Sequence, residues 1–179
     1  EISQSAANYA LSLGLDVKVG SFDSVNFDPE SFDIITIIDV LEHLPQPRRV
    51  LEKIYGLLKP DGIVYIKVPN IQAQINKQSF LNALNLSTAG VCENYIHINH
   101  FSHESLTSVL VSLGFEIIEI GYTKAEIWDL SFPETYNLKI KKWLINQIRT
   151  LVTVVTTFIS HISKLDLGLN IYIIARKPK

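Results

Sequence analysis

The stretch Phe32-Asp33-Ile34-Ile35-Thr36-Ile37-Ile38 most narrows what this chain can fold into. Ile34 to Ile38 are all β-branched, and apolar residues stand at successive rather than alternate positions. That pattern predicts a strand covered on both faces, which points to a parallel sheet rather than a half-wet antiparallel one. Ile63 to Val68 repeats it and is stopped by Pro69-Asn70. Leu15 to Val19, Phe115 to Ile120 and Ile171 to Ala175 are shorter strand candidates.

Parallel strands need crossovers, and helical patterns lie between these runs. Ser3 is placed to cap a helix through Ala6, Ala7, Ala10 and Leu11, ended by Gly14. Pro47 can open a second, with Val50, Leu51, Ile54, Leu57 and Leu58 at helical spacing. Lys59-Pro60-Asp61-Gly62 then reads as a turn. Ser102, with Glu104 in the first turn, starts a third helix whose stripe is Leu106, Val109, Leu110 and Leu113, with Gly114 as its stop. Helices and strands alternate, so a layered α/β domain with right-handed crossovers is expected, one domain over 1–179.

Two segments stand apart. Residues 71–101 have no clean period and hold Cys92, His97 and His100, so a long connection acting as lid or substrate loop is expected. Residues 138–165 carry an amphipathic helix pattern, with Ile148, Leu151, Val152, Val155, Phe158, Ile159 and Ile162 on one stripe. Its polar residues are too frequent for a membrane span. A helix covering the domain or a homodimer interface is the preferred reading, and peripheral contact with a lipid surface is the alternative.

Composition limits the function classes. With 16 Lys+Arg against 18 Asp+Glu the net charge is −2, which argues against a strongly basic nucleic-acid surface, and no nucleic-acid partner is expected. A single cysteine excludes an internal disulfide and any multi-cysteine zinc module. Hydrophobic residues at 47% exclude a largely disordered chain. Methionine is absent even from position 1, so an upstream segment is expected. The chain opens inside a regular element, which makes a cytoplasmic protein the default expectation.

Three stretches, in this order and spacing, resemble the class I S-adenosylmethionine-dependent methyltransferases, above all their small-molecule group. They are Phe32 through Asp39-Val40-Leu41-Glu42-His43-Leu44, then Leu57-Leu58-Lys59-Pro60-Asp61-Gly62-Ile63, and His97-Ile98-Asn99-His100-Phe101-Ser102 with the helix ending at Gly114. The resemblance implies a Rossmann-like fold, a mostly parallel sheet of order 3-2-1-4-5-7-6 with an antiparallel last strand, and S-adenosylmethionine as methyl donor. It also implies that the first βα unit is missing, since no Gly-x-Gly occurs anywhere and Glu1-Ile2 falls where the second strand ends. These 179 residues are therefore expected to bind the cofactor poorly by themselves.

Carried over residue by residue, the resemblance assigns Glu1 to the ribose hydroxyls with Ile2 beside it. It sets Ser21 and Phe22 at the adenine, and Asp39 and Val40 at the methionine end of the cofactor. A carboxylate suits a vicinal diol because it accepts two hydrogen bonds. His43 and His100 are the candidate general bases, as imidazole titrates near neutral pH. By similarity to ubiquinone-biosynthesis O-methyltransferases, Asp39, Glu42 and His43 are also able to hold a divalent metal. The preferred reading gives them no metal. Instead His43 caps the next helix or orders the pocket. Methyl transfer to a small-molecule acceptor, through oxygen, is the expected activity. The competing readings are a nitrogen or carbon methyltransferase acting on a lipid or sugar, a catalytically silent binding module of the same fold, and a nicotinamide dehydrogenase. The last is disfavoured because Glu42-His43 and Lys59 to Gly62 have no role in it.

Overall fold

A computed structural model describes residues 1–83, 97–123 and 170–179. Cys92 and the expected helix over 138–165 lie outside the described residues.

Helix α1 (Gln4–Ser12) begins at Ser3, whose hydroxyl accepts from the Ala6 amide, and ends before Gly14 at φ +81°. Strand β1 (Phe32–Ile38) runs into a 3-10 turn over Leu41–His43. Helix α2 (Pro47–Leu57) buries Val50, Leu51, Ile54 and Leu57, the stripe read from spacing. Strand β2 (Leu58–Pro69) follows, then α3 (Ile71–Ala83), α4 (His103–Ser112), β3 (Glu116–Thr123) and β4 (Asn170–Arg176). Ser102 caps α4, exchanging hydrogen bonds with Ser105 in a capping box.

The sheet order is β1-β2-β4-β3. β1 pairs parallel with β2, whereas β4 is antiparallel to both β2 and β3. Three strands thus point one way and the last in sequence runs between two of them in reverse. This is the 4-5-7-6 half of the implied sheet, and the Rossmann-like expectation holds. Ile37, Val64, Ile66, Val68, Ile171, Ile173 and Ala175 form the covered sheet face, packed against Leu51 and Ile54 of α2 and Leu106 and Leu110 of α4.

Four local expectations change. Leu15 to Val19 forms no strand; Leu15 and Val19 are exposed, and the segment is held instead by single bonds, Leu15 N donating to Ala10 O, Glu1 N to Lys18 O, Lys18 Nζ to Asn26 O and, just beyond it, Gly20 N to Glu1 O. β1 is covered on one face only, with Ile37 buried while Ile34 and Ile38 are exposed. The Lys59 to Gly62 turn sits inside β2 as a bulge: Phe32 pairs with Leu58 but Ile34 with Ile63, so Pro60, Asp61 and Gly62 loop out, Asp61 at φ +64°.

The fourth is the start of the 71–101 connection, which is helical. α3 shows no apolar stripe because it rests on other devices. Asn70 Oδ1 accepts from the Gln72 amide at its start. Gln72–Asn76 and Gln78–Asn82 amide pairs one turn apart run along its side. Among the described residues no helix is long and apolar enough to cross a membrane.

Candidate active site

The carboxyl ends of parallel strands are where α/β sheets hold ligands. β1 ends there at Asp39, whose backbone turns left-handed at φ +54°, a conformation aspartate tolerates. Lys67 fixes that turn twice: its carbonyl accepts from the Asp39 amide at 3.0 Å, and its ammonium lies 3.3 Å from Asp39 Oδ2. Val40, next in line, is exposed.

The 3-10 turn then drives Leu41 and Glu42 inward. Glu42 is 2% exposed, the most deeply placed carboxylate among the described residues. Its Oε1 lies 3.9 Å from His43 Nε2, while its Oε2 is buried without a hydrogen-bond partner. Burial pushes the Glu42 carboxyl above its usual range; Asp39 pushes the same way, and its own backbone, His43 and His97 oppose.

His97 arrives from the far side of the sequence. Glu42 O accepts from both Ile98 N at 3.0 Å and Asn99 N at 2.9 Å. Asn99 Nδ2 also donates to Leu44 O at 2.6 Å. These three bonds staple 97–99 onto the Glu42–Leu44 turn and bring the His97 and His43 rings to 5.0 Å between centroids. One ligand atom each from Glu42, His43 and His97 falls within a 4.8 Å span. Asp39 stays outside this group with Lys67, and His100 is exposed. Pairing Glu42 with His97 has no sequence signal, because it is made by main-chain bonds across more than fifty intervening residues.

Four of the six expected cofactor residues collect at a second corner, while Asp39 and Val40 stand at the end of β1. The Gly20 N to Glu1 O bond sets Glu1 and Ile2 beside Ser21 and Phe22. Glu1 Oε1 accepts from the Ser3 amide at 2.8 Å, which holds its carboxyl below the usual range. The Ser21 hydroxyl is engaged within its own turn, by Ser24. Phe22 packs against the core.

The family model described as Methyltransferase domain matches residues 4–120. This chain belongs to that methyltransferase family. Ubiquinone biosynthesis O-methyltransferase of Glaesserella parasuis is 45% identical over 47 residues, 26% of this chain and 20% of that protein. The Neisseria meningitidis enzyme of the same name is 32% identical over 62 residues, 35% of this chain and 24% of that protein. An uncharacterized Methanocaldococcus jannaschii protein is 27% identical over 123 residues, covering 69% and 57%. The chain therefore spans well under two thirds of these curated relatives.

Among solved structures, an S-adenosylmethionine-dependent methyltransferase of Thermotoga maritima superposes with a TM-score of 0.60 at 20% identity, over 99% of this chain and 71% of that one. A methyltransferase of Mesorhizobium loti gives 0.59 at 12% identity, over 98% and 78%. At such identities the likeness establishes the shared fold.

Proposed function

We propose that the full-length protein transfers a methyl group from S-adenosylmethionine to a hydroxyl oxygen of a small-molecule acceptor. The observation that carries this reading is the Glu42-His43-His97 group just beyond Asp39, at the edge where the family's sheet presents its cofactor. Further support comes from the short matches to O-methyltransferases. The bound cofactor supplies an activated methyl on a positively charged sulfur. The chain's task is alignment, exclusion of water and removal of one proton.

His43 is the residue for the proton. With the cofactor bound, the His43 imidazole would take the proton of the acceptor hydroxyl as that oxygen receives the methyl group. Glu42, 3.9 Å from Nε2, stabilises the imidazolium. His43→Ala is expected to lower kcat about a hundredfold with the cofactor KM little changed, measured with a labelled methyl donor. Full activity in that variant removes His43 from the chemistry. At His100, which is exposed, replacement by Ala is expected to cost far less.

A second reading has its own observation. Glu42 Oε2, buried and unpartnered, is what a cation would satisfy, and two imidazoles stand beside it. The donor set fits a divalent transition ion, held by Glu42, His43 and His97 rather than by Asp39. Such an ion would polarise a catechol-like acceptor and lower the pKa of its hydroxyl. Chelation that abolishes transfer, with recovery on adding Mn²⁺ or Zn²⁺, supports this reading; activity indifferent to chelator supports the metal-free one.

A further inference from the structure

We infer that Lys53, on α2, is a positioning residue for the cofactor corner. The assignment rests on the reading above that Ser21 and Phe22 border the cofactor.

Residues Ser21 to Val25 form one compact turn. Ser24 N and Val25 N both donate to Ser21 O, at 3.0 and 3.1 Å. Such a turn leaves carbonyls pointing out of its far end with no amide to meet them. Lys53 fills that place. Its ammonium donates to Phe22 O and, at 2.9 Å, to Val25 O. The same nitrogen lies 4.6 Å from the centroid of the Phe22 ring. Two carbonyls and one aromatic face thus match the three hydrogens of the ammonium.

The position of this clamp is informative. Among the described residues no acidic side chain forms an ion pair with Lys53, although partly burying a cation costs free energy that a carboxylate would offset. The cation instead serves backbone carbonyls of the one loop that joins Glu1, through Gly20, to Phe22. Helix α2 is among the best anchored elements, with four buried residues on the core. Lys53 therefore ties a loop with little regular structure of its own to a rigid helix, and it fixes the Phe22 ring by lying over it. A loop held in its binding geometry before the ligand arrives loses less entropy on binding.

The test uses the full-length protein, with S-adenosylhomocysteine titrated calorimetrically and methyl transfer measured at saturating cofactor. Lys53→Met is expected to weaken cofactor affinity about tenfold and leave kcat within about twofold, because the chemistry at His43 is untouched. Lys53→Arg, which still carries several donors toward both carbonyls, is expected to recover most of the affinity. Unchanged affinity in Lys53→Met overturns the assignment, as does a fall in kcat with affinity intact. If Lys53→Met does not fold, Lys53→Gln decides: its shorter, neutral amide cannot meet both carbonyls and the ring at once, and affinity equal to wild type then overturns the proposal. Absence of cofactor binding by the wild-type protein is a different failure, that of the methyltransferase reading itself.

Discussion

Glu42→Gln is expected to make the fold more stable at pH 7 and to remove most of the methyl transfer. Both effects come from one buried carboxyl. Glutamine keeps the shape and leaves untouched the backbone carbonyl that accepts from Ile98 and Asn99. What changes is the charge, which burial disfavours. In the unfolded chain a glutamate ionises near its ordinary value of about 4.3, whereas in the fold the carboxyl holds its proton to higher pH. Between the two values the folded state binds the extra proton, so stability falls as pH rises through that window and the full penalty persists above it. The variant has no such slope. The two proteins are expected to unfold alike below about pH 4 and to diverge above it, the variant being the more stable at pH 7, read by denaturant titration in the presence of chelator. Activity is expected to fall by about a hundredfold or more, since the carboxylate that supports the His43 imidazolium, or ligates the ion of the second reading, is gone. A variant less stable than wild type at pH 7 contradicts the burial argument. A variant of normal activity contradicts both mechanisms. Gain of stability with loss of function is the signature of a group kept for chemistry at the fold's expense.

The sequence disclosed this site unevenly, for reasons that lie in individual residues. Ser3, Ser102, Gly14 and Gly114 were legible as helix boundaries because capping is a short-range matter of side-chain oxygens and left-handed backbone. The last strand was legible as β-structure from Ile171 to Ala175. Its reversed place between β2 and β3 came only with the family resemblance, since strand order is set by long-range pairing. Helix α3 escaped because amide pairs and an Asn cap hold it, not an apolar stripe. Leu15 to Val19 misled because β-branched composition reports what a strand would tolerate, not whether a neighbour exists to bond with it. Asp39, Glu42 and His43 were found from one contiguous motif, but the partner that completes the group is His97. Only the Ile98 and Asn99 amides, donating to Glu42 O, reveal it. Lys53 gave no signal at all, as a lysine on an exposed-looking helix position is the commonest of surface residues.

The two faces of β1 offer the sharpest test of the fold, because the sequence treats them as equal and the structure does not. Ile37 is 7% exposed and lies in the core, with Ile66 as its register partner on β2. Ile38, its neighbour, is 49% exposed and pairs with Lys67. Further along the strand, Ile34, Ile35 and Thr36 help line an apolar cleft of ≈ 290 Å³ with Phe22, Phe27, Phe32 and Leu57. Replacing each isoleucine by threonine keeps the β-branch and therefore the backbone preference, so any difference reports burial. In the 179-residue chain Ile37→Thr is expected to cost about 3 kcal/mol, from lost apolar contact and from a hydroxyl taken out of water. That corresponds to a fall in melting temperature of roughly 6–12 °C for a chain of this size. Ile38→Thr is expected to stay within about 0.5 kcal/mol, because threonine there remains solvated. Equal losses at the two positions would mean that the outer face is packed as tightly as the inner one, as the unbroken β-branched run implied. A large loss at Ile37 alone fixes the core on the side of α2 and α4. It would then be the outer face of β1, with Ile34 and Ile38, that is left open to a ligand or to further chain.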